Sequence, residues 1–152
     1  MVRQLIYTSR VANGFQEEDN LLQSILDVSV RNNATVSVTG MLLFYRDHFF
    51  QALEGSAEAV ETIYLRVCRD PRHQELRLLQ DAPRKSRSFE GWAMCGYNLG
   101  PADNEILGVL GLRRGFDPKS ISGPGALALL TNVHAVQQRV NLRTPSSIVI
   151  ES

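Results

Sequence analysis

Hydrophobic and polar positions along this chain switch between a period of two and a helical period in a legible order. Gln4-Leu5-Ile6-Tyr7-Thr8-Ser9 has the make-up of a strand, and Asn13-Gly14 is a turn signal. From about Asp19 to Asn32, Leu21, Ile25 and Val28 lie beside Leu22, Leu26 and Ser29 as two adjacent stripes at helical spacing. Such a face is wide enough to rest on a sheet. Val36 to Tyr45 and His48 to Leu53 predict two strands joined at Arg46-Asp47 as a hairpin. Ser56 is an N-cap for the next helix, with Glu58 and Glu61 early in it and Val60, Ile63, Tyr64 and Val67 on its apolar face; Asp70-Pro71 stops it. Glu75 to Leu79 predicts a fourth strand and Gly91 to Tyr97 a fifth. Strand, helix, strand, strand, helix, strand is the split βαβ plan. The expected fold is therefore α+β and ferredoxin-like, a mixed five-stranded sheet with two helices on one face.

Past Gly100 the texture changes. Pro101, Gly115, Pro118, Gly123, Pro124 and Gly125 punctuate two short helical stretches, of which Ala126 to Val140 is the better defined. Leu129, Leu130, Val133, Val136, Gln137 and Val140 fall along one side of it, which suits packing on the free sheet face or on another subunit. Residues 1–99 are expected to form the principal domain, and 100–152 a helical cap or interaction extension whose last residues, Ser146 to Ser152, are partly disordered.

Composition narrows the function classes. The chain has 152 residues, 43% hydrophobic and 21% charged, with a formal net charge of +0, the profile of a soluble domain with room for a core. No stretch approaches the ~20 apolar residues that span a bilayer, and Met1-Val2-Arg3-Gln4 leads straight into a strand, so a cytoplasmic protein without a membrane partner is expected. Balanced charge argues against direct nucleic-acid binding. Cys68 and Cys95 stand in apolar patterns without CxxC spacing and are expected to be core or half-buried thiols. His48, His73 and His134 are far apart, so no metal site is expected. G-x-S-x-G, P-loop, G-x-G-x-x-G and H-E-x-x-H signatures are all missing, and the expectation is a protein that is not an enzyme.

One polar residue breaks the strand pattern. In Phe49-Phe50-Gln51-Ala52-Leu53, alternation puts Phe49, Gln51 and Leu53 on one face, so the Gln51 amide points into a core. An unpartnered amide there would cost roughly 1–3 kcal/mol, so something must satisfy it. If the first and third strands are neighbours, as the split βαβ plan implies, Tyr7 can approach Gln51. Tyr7 is otherwise a core tyrosine bonded to backbone. Asn32 and Asn33 continue the stripes of the first helix and either cap its end or overhang the same region. Tyrosine, glutamine and asparagine together would wall a site for a flat heterocycle with donors and acceptors on its edge.

Six segments carry a resemblance: Leu5-Ile6-Tyr7-Thr8-Ser9-Arg10, Arg31-Asn32-Asn33, Val38-Thr39-Gly40-Met41-Leu42, Phe50-Gln51-Ala52-Leu53-Glu54-Gly55, Asp70-Pro71-Arg72-His73 and Phe89-Glu90-Gly91-Trp92-Ala93-Met94. In order and spacing they resemble the BLUF family of blue-light sensors using flavin, over roughly residues 3 to 97. Ser37 departs from the glycine common in the family. The resemblance implies a non-covalent flavin between the two helices, with Tyr7 as photochemical electron and proton donor and Gln51 between it and the flavin. It implies that Asn33 holds the carbonyl edge with Asn32 nearby, and that Arg66, Asp70 and His73 lie along the ring and ribityl side. Arg72 would meet a phosphate at the mouth. Ser29, Trp92 and Met94 match positions that surround the switching glutamine, the last two relaying a signal to the C-terminal extension. The cofactor is expected to be FAD, with FMN and riboflavin also compatible. A separate effector protein and a homo-oligomer are the expected partners. A flavin-free ferredoxin-like interaction module is the alternative, and a flavin oxidoreductase a third reading.

Overall fold

The computed structural model describes residues 1–14, 21–45, 47–90, 92–98, 120–140 and 147–151. The elements run β1 (Val2–Val11), α1 (Leu21–Ala34), β2 (Thr39–Tyr45), β3 (His48–Gly55), α2 (Ala57–Cys68), β4 (His73–Arg84), β5 (Trp92–Asn98), α3 (Gly123–Val140) and β6 (Ser147–Glu151). One six-stranded sheet has the order β4-β1-β3-β2-β5-β6, antiparallel throughout except for the parallel β2–β5 pair. The α+β ferredoxin-like plan holds, with one strand more than the five expected. Ser147–Glu151, expected to be partly disordered, pairs with β5; its Ile148-Val149-Ile150 run is β-branched and suits a pleated ladder.

Period-two alternation divides the central strands between two cores. Leu5, Tyr7 and Val11 of β1, Leu42 of β2 and Phe49 and Leu53 of β3 pack with Ile25 of α1 and Val60 and Ile63 of α2. On the opposite face Ile6, Met41, Leu43, Phe50 and Ala52 pack with Ala126, Leu129, Leu130 and Val133 of α3. Of the two expected placements for the C-terminal helix, the free sheet face is the one found. Each fully buried Leu, Ile or Phe contributes about 1.5–3 kcal/mol, so two faces are stabilised by comparable apolar burial. The second helix starts as expected, with Ser56 Oγ accepting from the Ala59 N–H at 3.2 Å. α3 starts three residues earlier than expected because Ser122 caps it, its Oγ accepting from the Gly125 N–H at 3.1 Å, while Pro124 is tolerated in the first turn. Gly123 meets β4 so closely that a Cβ there would lie 2.5 Å from the Leu79 carbonyl oxygen.

β4 is longer than the Glu75–Leu79 expected. It is an edge strand, where Pro83 costs no interior ladder bond. Its pairing with β1 shifts register twice, and Glu75 has φ 52°, the mark of a bulge. Ser37 has φ 57°, in the left-handed region that favours glycine, which gives a physical reason for the glycine common at that place in the family. Cys68 is exposed rather than core or half-buried: one residue beyond Val67, it is turned about 100° from the stripe of α2 that faces the sheet. The Cys95 side chain lies outside the described structure. Among the described residues, no helix is long and apolar enough to cross a membrane and no group of acidic, His or Cys residues is arranged to hold a metal.

Candidate functional site

The antiparallel β1–β3 register places Tyr7 directly opposite Gln51. Both side chains project toward α1 and α2, and the Tyr7 hydroxyl donates a hydrogen bond to Gln51 Oε1. Tyr7 is fully buried and Gln51 nearly so. Burial, reinforced by the negative charge of Asp70, pushes the Tyr7 hydroxyl well above its ordinary value of 10.0, so it is a neutral phenol at physiological pH. Its ring lies 5.7 Å from that of Tyr64 and edge-on to His73 at 6.4 Å.

His73 reaches this face only because of the bulge. Leu76 and Leu78 point toward α1 and α2, so strict alternation would send His73 to the other side; the extra residue at Glu75 brings it back. Its Nδ1 lies 2.8 Å from Ser9 Oγ and its ring packs 4.9 Å from Phe49. Burial lowers its pKa to about 4; Arg72 pushes the same way against the opposing effect of Asp70. The imidazole is therefore neutral near pH 7. Burial would raise the Asp70 carboxyl, but hydrogen bonds from the Arg72 side chain and backbone, with its charge, hold it below the usual 3.8. The guanidinium grips it in a fork, Nη2 to Oδ2 at 2.6 Å and Nε to Oδ1 at 2.9 Å. Arg72 Nη1 also donates to Ser24 Oγ of α1 at 3.0 Å, fastening the end of α2 to α1.

Between the two helices and the sheet lies a cleft that opens to solvent at its mouth. Tyr7 and Gln51 form its floor. Ser29, Asn32 and Asn33 border it from α1, Arg66 from α2, and Asp70, Arg72 and His73 from the turn into β4, while Ile25, Val28, Ile63 and Val67 supply apolar wall. Nine residues singled out in the sequence thus line one cavity. Of the nine, Tyr7, Asn33 and Gln51 are deeply buried, whereas Arg66 is exposed at the rim. The side chains of Trp92 and Met94 lie outside the described structure; their backbone is in β5. Sequence reasoning missed Ser9, Ser24 and Tyr64. Period-two counting from Tyr7 would have found Ser9. Ser24 gave no such signal, because it serves the site only through Arg72.

The residues fit a flavin ring. Apolar walls suit the faces of a flat conjugated system, and three carboxamides, each with an acceptor and a two-proton donor, suit its carbonyl and N–H edge.

Comparison with known proteins agrees. The profile of the BLUF family, sensors of blue light using FAD, matches residues 2–95. The blue light- and temperature-regulated antirepressor BluF of Escherichia coli K12 is 35% identical over 111 residues, 72% of this chain and 27% of that protein. A photoactivated adenylate cyclase subunit beta-like protein of Euglena gracilis is 36% identical over 85 residues, 56% of this chain and 10% of that protein. The dark-state structure of the BLUF protein BlrB superimposes with a TM-score of 0.72 at 28% identity, covering 89% of this chain and 96% of that one. This chain spans about a quarter of the antirepressor's length and about a tenth of the cyclase subunit's. Its cleft, its fold and its sequence make it a member of the BLUF family of flavin-based blue-light sensors.

Proposed function

We propose that this protein is a photosensory switch, not an enzyme, in which Tyr7 and Gln51 convert light absorption into a rearranged hydrogen-bond network. The observation that carries this reading is the Tyr7 hydroxyl bonded to Gln51 Oε1 on the floor of the cleft. A flavin held there supplies, on absorbing blue light, a strong one-electron oxidant. Tyr7, a neutral phenol in the dark, gives up an electron, becomes strongly acidic and releases its proton along the bond to Gln51. Gln51 relays the proton and turns or tautomerises. An amide has a donor end and an acceptor end, so this exchange changes partners at almost constant volume. When electron and proton return to Tyr7, the altered bonds of Gln51 persist and shift the absorption to the red.

Asn33, with Asn32 beside it, holds the ring's polar edge. Arg66, Asp70 and His73 would lie along the ring and ribityl side, Ser29 would stand near the Gln51 amide, and Arg72 would meet a phosphate at the mouth. FAD is the proposed ligand, in keeping with the family description; the ring and ribityl contacts act on parts common to FMN and riboflavin, whereas the phosphate contact of Arg72 is open to FAD and FMN only. The signal leaves through β5, where Trp92 and Met94 stand, and through α3 of the 100–152 extension to a separate effector protein or a homo-oligomeric interface in the cytoplasm. Relatives that include an antirepressor and cyclase subunits favour such an output.

Purification under dim light followed by absorption spectra before and after blue illumination tests the reading. A yellow protein whose flavin bands move to the red and relax in the dark is expected. A colourless protein would favour the flavin-free module, and dark turnover of an added reductant the oxidoreductase.

A further inference from the structure

The β1–β3 ladder carries a second cross-strand polar pair that the photochemistry does not use. Gln4 stands opposite Glu54, three residues from the Tyr7–Gln51 pair, and the odd spacing puts it on the opposite face of the sheet. Both side chains are fully buried. Gln4 Nε2 donates to Glu54 Oε2 at 2.9 Å, and Gln80 Nε2 of β4 donates to Gln4 Oε1 at 2.6 Å. The carboxylate also accepts from the backbone N–H groups of Ser88 at 2.9 Å and Phe89 at 2.8 Å. Arg87 completes the attachment, donating to Thr39 Oγ1 at 2.9 Å and to the Glu54 carbonyl at 3.2 Å. Residues 87–89 belong to the connection that crosses from β4, at one edge of the sheet, to β5 beyond β2. The next link is aromatic: Phe89 lies in the α3-side core with its ring edge-to-face on His134 of α3 at 5.5 Å.

The geometry points to Glu54 as a positioning residue for signal output, tying the strand that bears Gln51 to the β4–β5 connection and, through Phe89, to α3. This rests on the photosensor reading and adds a route that does not pass through Trp92 or Met94. Its physical basis is the shared ladder. Tyr7–Gln51 and Gln4–Glu54 are side-chain to side-chain hydrogen bonds between β1 and β3, about 10 Å apart along the strands, and Thr8 Oγ1 adds a bond to the Phe49 carbonyl at 2.9 Å. A change in the first alters how the strands sit against each other, and the second couples that change to Ser88 and Phe89. A carboxylate suits the task because it is acceptor-only and its two oxygens hold two consecutive N–H groups at once.

Hydrogen exchange of the full flavin-loaded chain, in the dark and under blue light, tests this in Glu54→Gln. The expected result is an unchanged red shift and roughly tenfold or faster dark exchange at Ser88 and Phe89, as lost charge-assisted bonds imply. The light-minus-dark difference across residues 123–140 should be at least halved. A merely structural role would speed exchange equally in dark and light and leave that difference intact, which overturns the inference. If Glu54→Gln does not fold, Phe89→Leu keeps the carboxylate bonds and trims the contact to His134. Its α3 response should fall while residues 87–89 still respond; an α3 response equal to wild type overturns the route. Wild-type protein that shifts to the red without any exchange change in residues 87–89 or α3 overturns the inference but leaves the photosensor reading standing. Wild-type protein that shows no red shift overturns both.

Discussion

Removing either partner of the Tyr7–Gln51 bond should cost nearly as much as removing both. Tyr7→Phe leaves Gln51 Oε1 without that donor in a site only 2% exposed, and Gln51→Leu leaves a fully buried hydroxyl without its acceptor. Each takes one hydrogen bond from a buried polar group, at about 1–3 kcal/mol. The double variant replaces both ends of this bond with apolar groups of similar shape, so its cost should be close to that of one single change. The coupling from the double-mutant cycle then equals about one single cost, about 1–3 kcal/mol. Urea denaturation in the dark, at fixed flavin excess and corrected for each variant's flavin affinity, measures it. Single costs that add to within about 0.3–0.5 kcal/mol would mean that the two side chains are energetically independent, and the bond could not then be the switch.

Two further outcomes follow from the backbone and from the titrating groups. Ser37→Gly relieves about 1–2 kcal/mol of left-handed strain at φ 57° against about 0.5–1 kcal/mol of added unfolded-chain freedom, a net gain of about 0–1.5 kcal/mol, so Tm should rise by up to roughly 5 °C; a lower Tm would contradict the strain argument. The pKa of His73 falls to about 4 in the fold from 6.5, so the unfolded chain binds the extra proton, and stability is full above pH 6.5 and declines as pH drops toward 4. About 2 kcal/mol should be gone by about pH 5. Burial of His134 acts with the same sign, whereas Asp70, held below 3.8, contributes nothing in that window. His73→Gln should therefore flatten most but not all of the dependence of the urea midpoint on pH between about 7.5 and 5, and a slope equal to wild type would refute the assignment.

The core strands and the floor of the cleft were legible because both follow from local periodicity plus one topological rule. Phe49, Gln51 and Leu53 alternate, and the split βαβ plan makes β1 and β3 neighbours, which is enough to bring Tyr7 to Gln51. His73 entered only through the family resemblance, since simple counting along β4 gives it the wrong face; a bulge at Glu75 leaves no trace in hydrophobic pattern. The extent of β4 was hidden by Pro83, whose tolerance depends on an edge position known only from the sheet order. The two open placements for the C-terminal helix could not be separated, because an apolar stripe does not say which apolar face covers it. Glu54 stands in a recognisable motif, but its clamp is not legible from sequence. Its partners Gln4, Ser88 and Phe89 are remote in sequence, and two of them offer backbone N–H groups that no side-chain pattern reveals.

The central claim is that Gln51 is the moving part, and the light-minus-dark absorption spectrum of Gln51→Leu tests it most directly. At flavin occupancy matched to wild type, the account predicts a yellow protein whose flavin bands stay in place under blue light while those of wild type move to the red. A wild-type red shift in Gln51→Leu would contradict it and return Gln51 to the role of an ordinary hydrogen-bonded core amide.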